Sequence, residues 1–150
     1  RRPPKDPANA LLSFAYTILL GEVETAVRVH GLDAAIGHLH SDTTRSPALA
    51  LDLMEPLRPA VADLLVLNIV NHLRVNVSDH FQYNAEDGGT YLNESGRSQF
   101  FAAYELTMTR RFSPVKNAPH TDFRHVIDDQ VCIYLRALET GEPPEFFLLP

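Results

Sequence analysis

Two acidic residues stand three apart in an otherwise apolar run, Leu49-Ala50-Leu51-Asp52-Leu53-Met54-Glu55-Pro56-Leu57-Arg58-Pro59. If that segment is helical, Asp52 and Glu55 share one face. An unpaired carboxylate is expensive to bury among leucines, and a bound cation would remove that penalty. A short way upstream, Ile36-Gly37-His38-Leu39-His40 offers an imidazole. Carboxylate oxygens with one imidazole suit Mg²⁺ or Mn²⁺ rather than a thiolate-seeking ion. The chain's one cysteine, Cys132, excludes an internal disulfide and a multi-cysteine zinc site.

Simpler readings of the same residues stay open on spacing alone. Asp52-x-x-Glu55 also spells a capping box, with Asp52 as N-cap and Glu55 at N3. His40 can serve as a hydrogen-bonded histidine, and Arg58 can pair with Asp52 or Glu55. His38 reads as a supporting residue, while His30, His72, His80, His120 and His125 read as ordinary. Other catalytic templates are missing: there is no Gly-x-Ser-x-Gly elbow, phosphate loop or Gly-x-Gly-x-x-Gly run. Cys132 falls within an apolar helical pattern and is expected in the core.

The elements that must position these residues are mostly helices. Asp6 as N-cap and Pro7 at the first helical position predict a helix over 7–30, stopped by Gly31. Its apolar residues recur in steps of three and four. A connector over 32–47 carries His38, His40 and Arg45. A second helical region is expected from Leu49 to about Val75, central and largely buried, with Pro56 and Pro59 limiting where it begins. Phe81 to Leu92 reads as a small β-hairpin around Asp87-Gly88-Gly89. A third helix is predicted over 95–111, with Phe100, Phe101, Tyr104 and Met108 inward and Arg110-Arg111 at its negative end. Thr121 is the expected cap of a fourth helix, which carries Leu138 among its apolar residues and stops at Gly141. The fold class is therefore mainly α.

Composition agrees with one globular domain. The 150 residues are 45% hydrophobic and 21% charged, with a net charge of −6 that argues against non-specific coating of nucleic acid. Eleven of the 13 basic residues are arginine, whose planar fork suits bidentate phosphate contacts. Charges or helix breakers are expected to interrupt every candidate membrane span, and a cytoplasmic setting is expected. The opening Arg1-Arg2-Pro3-Pro4, without methionine, suggests a piece of something longer.

Taken in order, several segments resemble the CRISPR adaptation integrases, the Cas one family. They are the run from Arg2 to Tyr16, Gly31-Leu32-Asp33, the Ile36–His40 segment, Leu51–Pro59, Gly88-Gly89-x-Tyr91-Leu92 and Tyr104-Glu105. The likeness covers most of residues 2–111 and fades from Phe112 onward. It implies an all-α C-terminal domain holding Mg²⁺ or Mn²⁺ through a glutamate, a histidine and a later carboxylate. By motif the histidine is His40, the later carboxylate is Glu55, and Asp52 is the accompanying acid. The first ligand belongs to a Glu-Gly-x-x-Ala motif that would precede Arg1; Glu22 and Glu24 sit at the wrong place to replace it. The family's N-terminal β domain, used for dimerisation, would likewise lie outside residues 1–150.

The resemblance further implies metal-dependent joining of a spacer 3′-hydroxyl to a CRISPR repeat by transesterification, and cutting of branched DNA. Spacer and repeat DNA and the protein Cas two are the implied partners, with a homodimer formed through the full-length protein. Arg45, Arg58, Arg110 and Arg111 are candidate DNA contacts, with Lys116 beside them. The isolated chain, short of one ligand, is expected to bind metal and act weakly. Two other readings are a non-catalytic helical scaffold for DNA or protein and an unrelated metal-dependent phosphodiesterase.

Overall fold

Asp6 starts the first helix as predicted: its carboxylate accepts the Asn9 backbone N–H at 2.9 Å, and Pro7 follows at the first turn. The structure is a computed structural model that describes residues 3–37, 47–114 and 119–147. Helix α1 spans Pro7–Val29, His30 caps it, and Gly31 takes the left-handed conformation at φ +77°. Leu11, Ala15, Leu19, Val23 and Val27, four apart, form its buried stripe. Contrary to expectation, α1 is long and apolar enough to cross a membrane. That stripe is instead packed into the protein's own core.

A second helical rod runs from Ala48 to Asn71, changing pitch three times. It begins as α2 (Ala48–Met54), tightens to a 3₁₀ turn at Glu55–Leu57, widens to a π segment at Arg58–Asp63, and resumes as α3 (Leu64–Asn71). The backbone stays right-handed helical at each junction, at Met54, Leu57, Arg58 and Leu64. Pro56 and Pro59 explain the irregularity. Each removes a donor and sets its ring against a carbonyl four residues back, so an ordinary α-helix cannot pass through both. The prolines thus neither start nor stop the rod.

The inward face of its first part is buried almost completely, with Leu49, Ala50, Leu53, Leu57 and Val61 at 2% exposure or less. Its second part departs from the expected central burial: Leu64, Leu67, Val70 and Leu73 are exposed. The helix ends at Asn71 rather than near Val75, and Leu73 follows at φ +50°.

A short helix α4 (Val77–His80), capped by Asn76, was not anticipated. The expected hairpin follows as antiparallel β1 (Phe81–Asn84) and β2 (Gly89–Leu92), with Phe81 opposite Leu92 and Asn84 opposite Gly89. Thr90 N–H donates to the Pro4 carbonyl at 2.7 Å, tying the hairpin to the chain's beginning.

Helix α5 (Glu94–Met108) is capped by Asn93 and buries Phe100, Tyr104 and Met108. Phe101 is 45% exposed, against expectation, because it falls beside the inward stripe. Arg110 and Arg111 lie beyond the helix rather than in its last turn. Helix α6 (Phe123–Thr140) begins at Asp122, not Thr121, since the Asp122 carboxylate accepts the His125 N–H. Gly141 stops it at φ +73°. Two expectations fail on α6: Leu138 is 55% exposed, and Cys132 lies on the solvent face rather than in the core. Among the described residues the fold is mainly α with one small hairpin.

Candidate metal centre

Asp52 sits in the last turn of α2, whose N-cap is Pro47, so the capping-box reading of Asp52-x-x-Glu55 fails. Glu55 opens the 3₁₀ turn that follows. Helical backbone continues between them, and both half-buried carboxylates line one cleft of about 510 Å³. Most of that wall is apolar, including Leu49, Leu53, Pro56 and Phe146, with Glu142 a third acid on it. Hard oxygen donors concentrated on an apolar wall fit Mg²⁺ or Mn²⁺.

Tyr134 enters this cleft from α6. Burial, reinforced by the Asp52 charge, raises its hydroxyl pKa above the ordinary value. Nothing in the sequence singled it out, because it reads as one more member of the apolar stripe of α6.

The Glu55 carboxylate also has a partner on its own rod. Its Oε1 accepts a hydrogen bond from Arg58 Nη1 at 2.8 Å, the ion pair the sequence allowed. The Arg58 guanidinium lies over the Tyr16 ring, 4.4 Å from its centroid, and the Tyr16 hydroxyl donates to Asp63. Burial first, and then the bond to Asp63, hold the Tyr16 pKa above its usual value, with Arg58 opposing them. The hydrogen bond to Glu55 chiefly raises the Arg58 pKa.

Arg58 and Asp63 are the first and last residues of the π segment. At α-helical spacing, residues five apart diverge by ~140° around the axis. The i→i+5 winding of a π segment stacks them instead. The widened turn therefore presents both residues to one tyrosine of α1, and through Arg58 it fixes Glu55. Tyr16 and Asp63 were missed because only the changed pitch brings them together.

The other expected site residues divide into two groups. His40 and Arg45, with His38 and Lys116, lie outside the described residues. The described end of the His40 connector is firmly placed: Leu49 N–H donates to the Ala34 carbonyl at 2.9 Å, and Gly37 lies against Ala48. A Cβ on Gly37 would stand 2.6 Å from Ala48 atoms. Asp52 is four residues beyond Ala48, about 6 Å along the axis. Arg110 lines a separate cleft beside α3 and α5 together with His72 and Arg74. Arg111 donates to the His120 carbonyl at 2.9 Å, beside the antiparallel bridge between Phe112 and Thr121.

With this arrangement in view, residues 1–106 match the family described as CRISPR associated protein Cas1. The chain belongs to the Cas1 family. It is 38% identical over 146 residues to the CRISPR-associated endonuclease Cas1 3 of Thermus thermophilus, covering 97% of this chain and 43% of that relative. The chain therefore spans less than half of that Cas1's length. The likeness also continues past Phe112, further than the sequence motifs alone suggested.

Among solved structures, a Cas1 protein from Thermotoga maritima is similar at a TM-score of 0.80 and 34% identity, covering 93% of this chain and 41% of that one. A casposase bound to its integration product shares the fold at a TM-score of 0.86 and 24% identity, covering 98% of this chain and 42% of that one.

Proposed function

We propose that residues 1–150 are the C-terminal, metal-binding helical domain of a Cas1 integrase, a cytoplasmic enzyme that inserts spacer DNA into CRISPR arrays. The reading rests on one observation above all: Asp52 and Glu55, matched to the family by motif, share a largely apolar cleft on a helix whose winding changes across two prolines. Glu55 and Asp52 would hold Mg²⁺ or Mn²⁺ with His40 from the connector anchored at Gly37. The ion supplies Lewis acidity to the phosphodiester when bound.

The chain's own residues supply position. Arg58 fixes the Glu55 carboxylate, and Tyr16 with Asp63 fixes Arg58. The apolar wall thins the water around the acids and so strengthens their pull on a cation. Arg45 is assigned to DNA phosphate beside the metal, and the exposed Arg110 to duplex backbone. Arg58 and Arg111 carry intramolecular bonds, so any phosphate contact would have to share them. Cas2 and a second Cas1 copy are the expected protein partners of the full-length enzyme.

Strand transfer into a repeat-bearing plasmid with Mn²⁺ tests the reading. A version extended upstream to include the missing glutamate should join DNA robustly, and residues 1–150 alone only weakly. Equal activity of the two would overturn the division of ligands, and hydrolysis without joining by the extended protein would favour a phosphodiesterase. The Arg58–Glu55 bridge favours a second reading, a non-catalytic scaffold. That reading predicts no Mn²⁺ binding by the extended protein that depends on Glu55.

A further inference from the structure

The end of α1 and the middle of α6 bring together three side chains that take no part in the Asp52–Glu55 cleft. His30 caps α1, its backbone N–H held by the Ala26 carbonyl at 3.1 Å, and Gly31 turns the chain away at φ +77°. Asp128 and Cys132 are four residues apart on α6 and so lie one above the other on the same face. His30 Nε2 meets Asp128 Oδ1 at 2.7 Å, and one donor atom from each of the three residues lies within 4.8 Å of the others. His30 is half-buried, while Asp128 and Cys132 are exposed, so the group opens to solvent.

The donor set differs in kind from that of the catalytic cleft. An imidazole nitrogen, a carboxylate oxygen and a thiol sulfur match a borderline ion such as Zn²⁺ and poorly suit Mg²⁺ or Mn²⁺. Two ligands four apart on a helix with a third from another element is a geometry that tetrahedral zinc uses. Metal–donor bonds of ~2.0–2.3 Å would set the donors roughly 3.3–3.7 Å apart. The His30–Asp128 contact need open only slightly as the ion replaces the proton between them, and Cys132 closes by rotating its side chain and binds as thiolate, its proton passing to solvent. The flanking Val27 and Val131 are fully buried, so the two backbones that carry the ligands are already fixed.

We propose that His30, Asp128 and Cys132 form a second, peripheral site for one Zn²⁺-class ion, which clamps the end of α1 to α6 and leaves water in the fourth position.

Co²⁺ titration of the full chain tests this, because thiolate coordination gives a near-ultraviolet charge-transfer band that Zn²⁺ should displace. The band should vanish in Cys132→Ser and persist in Glu55→Gln. His30→Ala should weaken Co²⁺ binding by at least about tenfold, and Asp128→Asn by less. Zn²⁺ should raise the thermal midpoint of the wild type but not of Cys132→Ser, whose exposed position permits normal folding. Absence of the band at saturating Co²⁺ would overturn the site, as would a band that survives Cys132→Ser. Zn²⁺ stabilisation lost in Glu55→Gln but kept in His30→Ala would do the same.

Discussion

Two arginine–carboxylate pairings show how differently the halves of this Cas1 domain are built. On one side, Arg124 of α6 grips Glu105 of α5 through two bonds of 2.8 and 2.7 Å, with Glu22 of α1 at 3.8 Å. Those three helices are regular and begin at carboxylate or amide caps, Asp6, Asn93 and Asp122. Such a pair near the surface joins elements that packing has already placed, and it adds little stability. On the other side, Arg58 holds Glu55 through one bond of 2.8 Å, on a rod whose pitch changes at each proline. There the backbone itself is deformed so that Arg58 and Asp63 reach Tyr16. The irregular stretch begins at Glu55, one of the acids that line the apolar cleft, and this is the half to which chemistry is assigned.

The sharpest way to break that contrast is to neutralise one acid in each half. In the full-length enzyme, Glu55→Gln should lower Mn²⁺-dependent strand transfer by at least about a hundredfold. Glu105→Gln should leave the rate within about twofold. Similar losses from both would abolish the distinction.

Gly37→Ala is the next strongest test. Its new Cβ would meet Ala48 at 2.6 Å, forcing either the helix start or the His40 connector to move. Overpacking of this kind costs about 1–3 kcal/mol, and displaced ligands should slow strand transfer about tenfold or more. Chemical denaturation and the strand-transfer rate measure the two effects separately. A fully active, equally stable variant would detach the connector from the site.

Sequence reasoning served the regular half best, since its rules are local. Asp6 and Pro7 gave the start of α1, Gly31 and Gly141 gave two helix ends, and Asp87-Gly88-Gly89 gave the hairpin turn. Some failures there were of boundary, as at Thr121 and Arg110-Arg111, and others of phase: Phe101 and Cys132 fell just off a buried stripe, where one residue's rotation decides burial. In the other half, Asp52 and Glu55 stood out because acids are rare in apolar runs. The 3₁₀ and π windings did not, since two prolines within a helix can break, kink or widen it, and packing against α1 chooses among these. Tyr16, Asp63 and Tyr134 could not be found from sequence because their neighbours come from other elements. His40 was a candidate by its imidazole and by the family motif, and it lies outside the described residues.

Pro59→Ala should separate stability from function within the irregular half. The restored N–H can donate to a carbonyl one turn back, so the rod should tighten toward α-helical winding. The regained helical bond should outweigh the extra freedom of the unfolded chain, so the thermal midpoint should hold or rise slightly. Arg58 and Asp63 would no longer stack, so Mn²⁺ affinity should fall, by about threefold to tenfold. Calorimetric titration and thermal melts together decide the point. Unchanged affinity would mean that the π segment is a packing accommodation only.

Asp122→Ala should give the smallest effect and should be confined to the regular half. It removes the cap of α6, at about 1 kcal/mol of stability near neutral pH, with no change in Mn²⁺ affinity. Hydrogen bonding from the His125 ring, and then from its backbone N–H, holds the Asp122 carboxyl below the ordinary 3.8. A carboxyl lowered on folding stabilises the protein above 3.8, and that contribution is lost as the pH falls through its folded value. Urea midpoints of wild type and variant should therefore lie apart at pH 7 and draw together below pH 3.8. A gap that stayed constant through acid would show that the cap acts through the shape of the α6 start rather than through its charge.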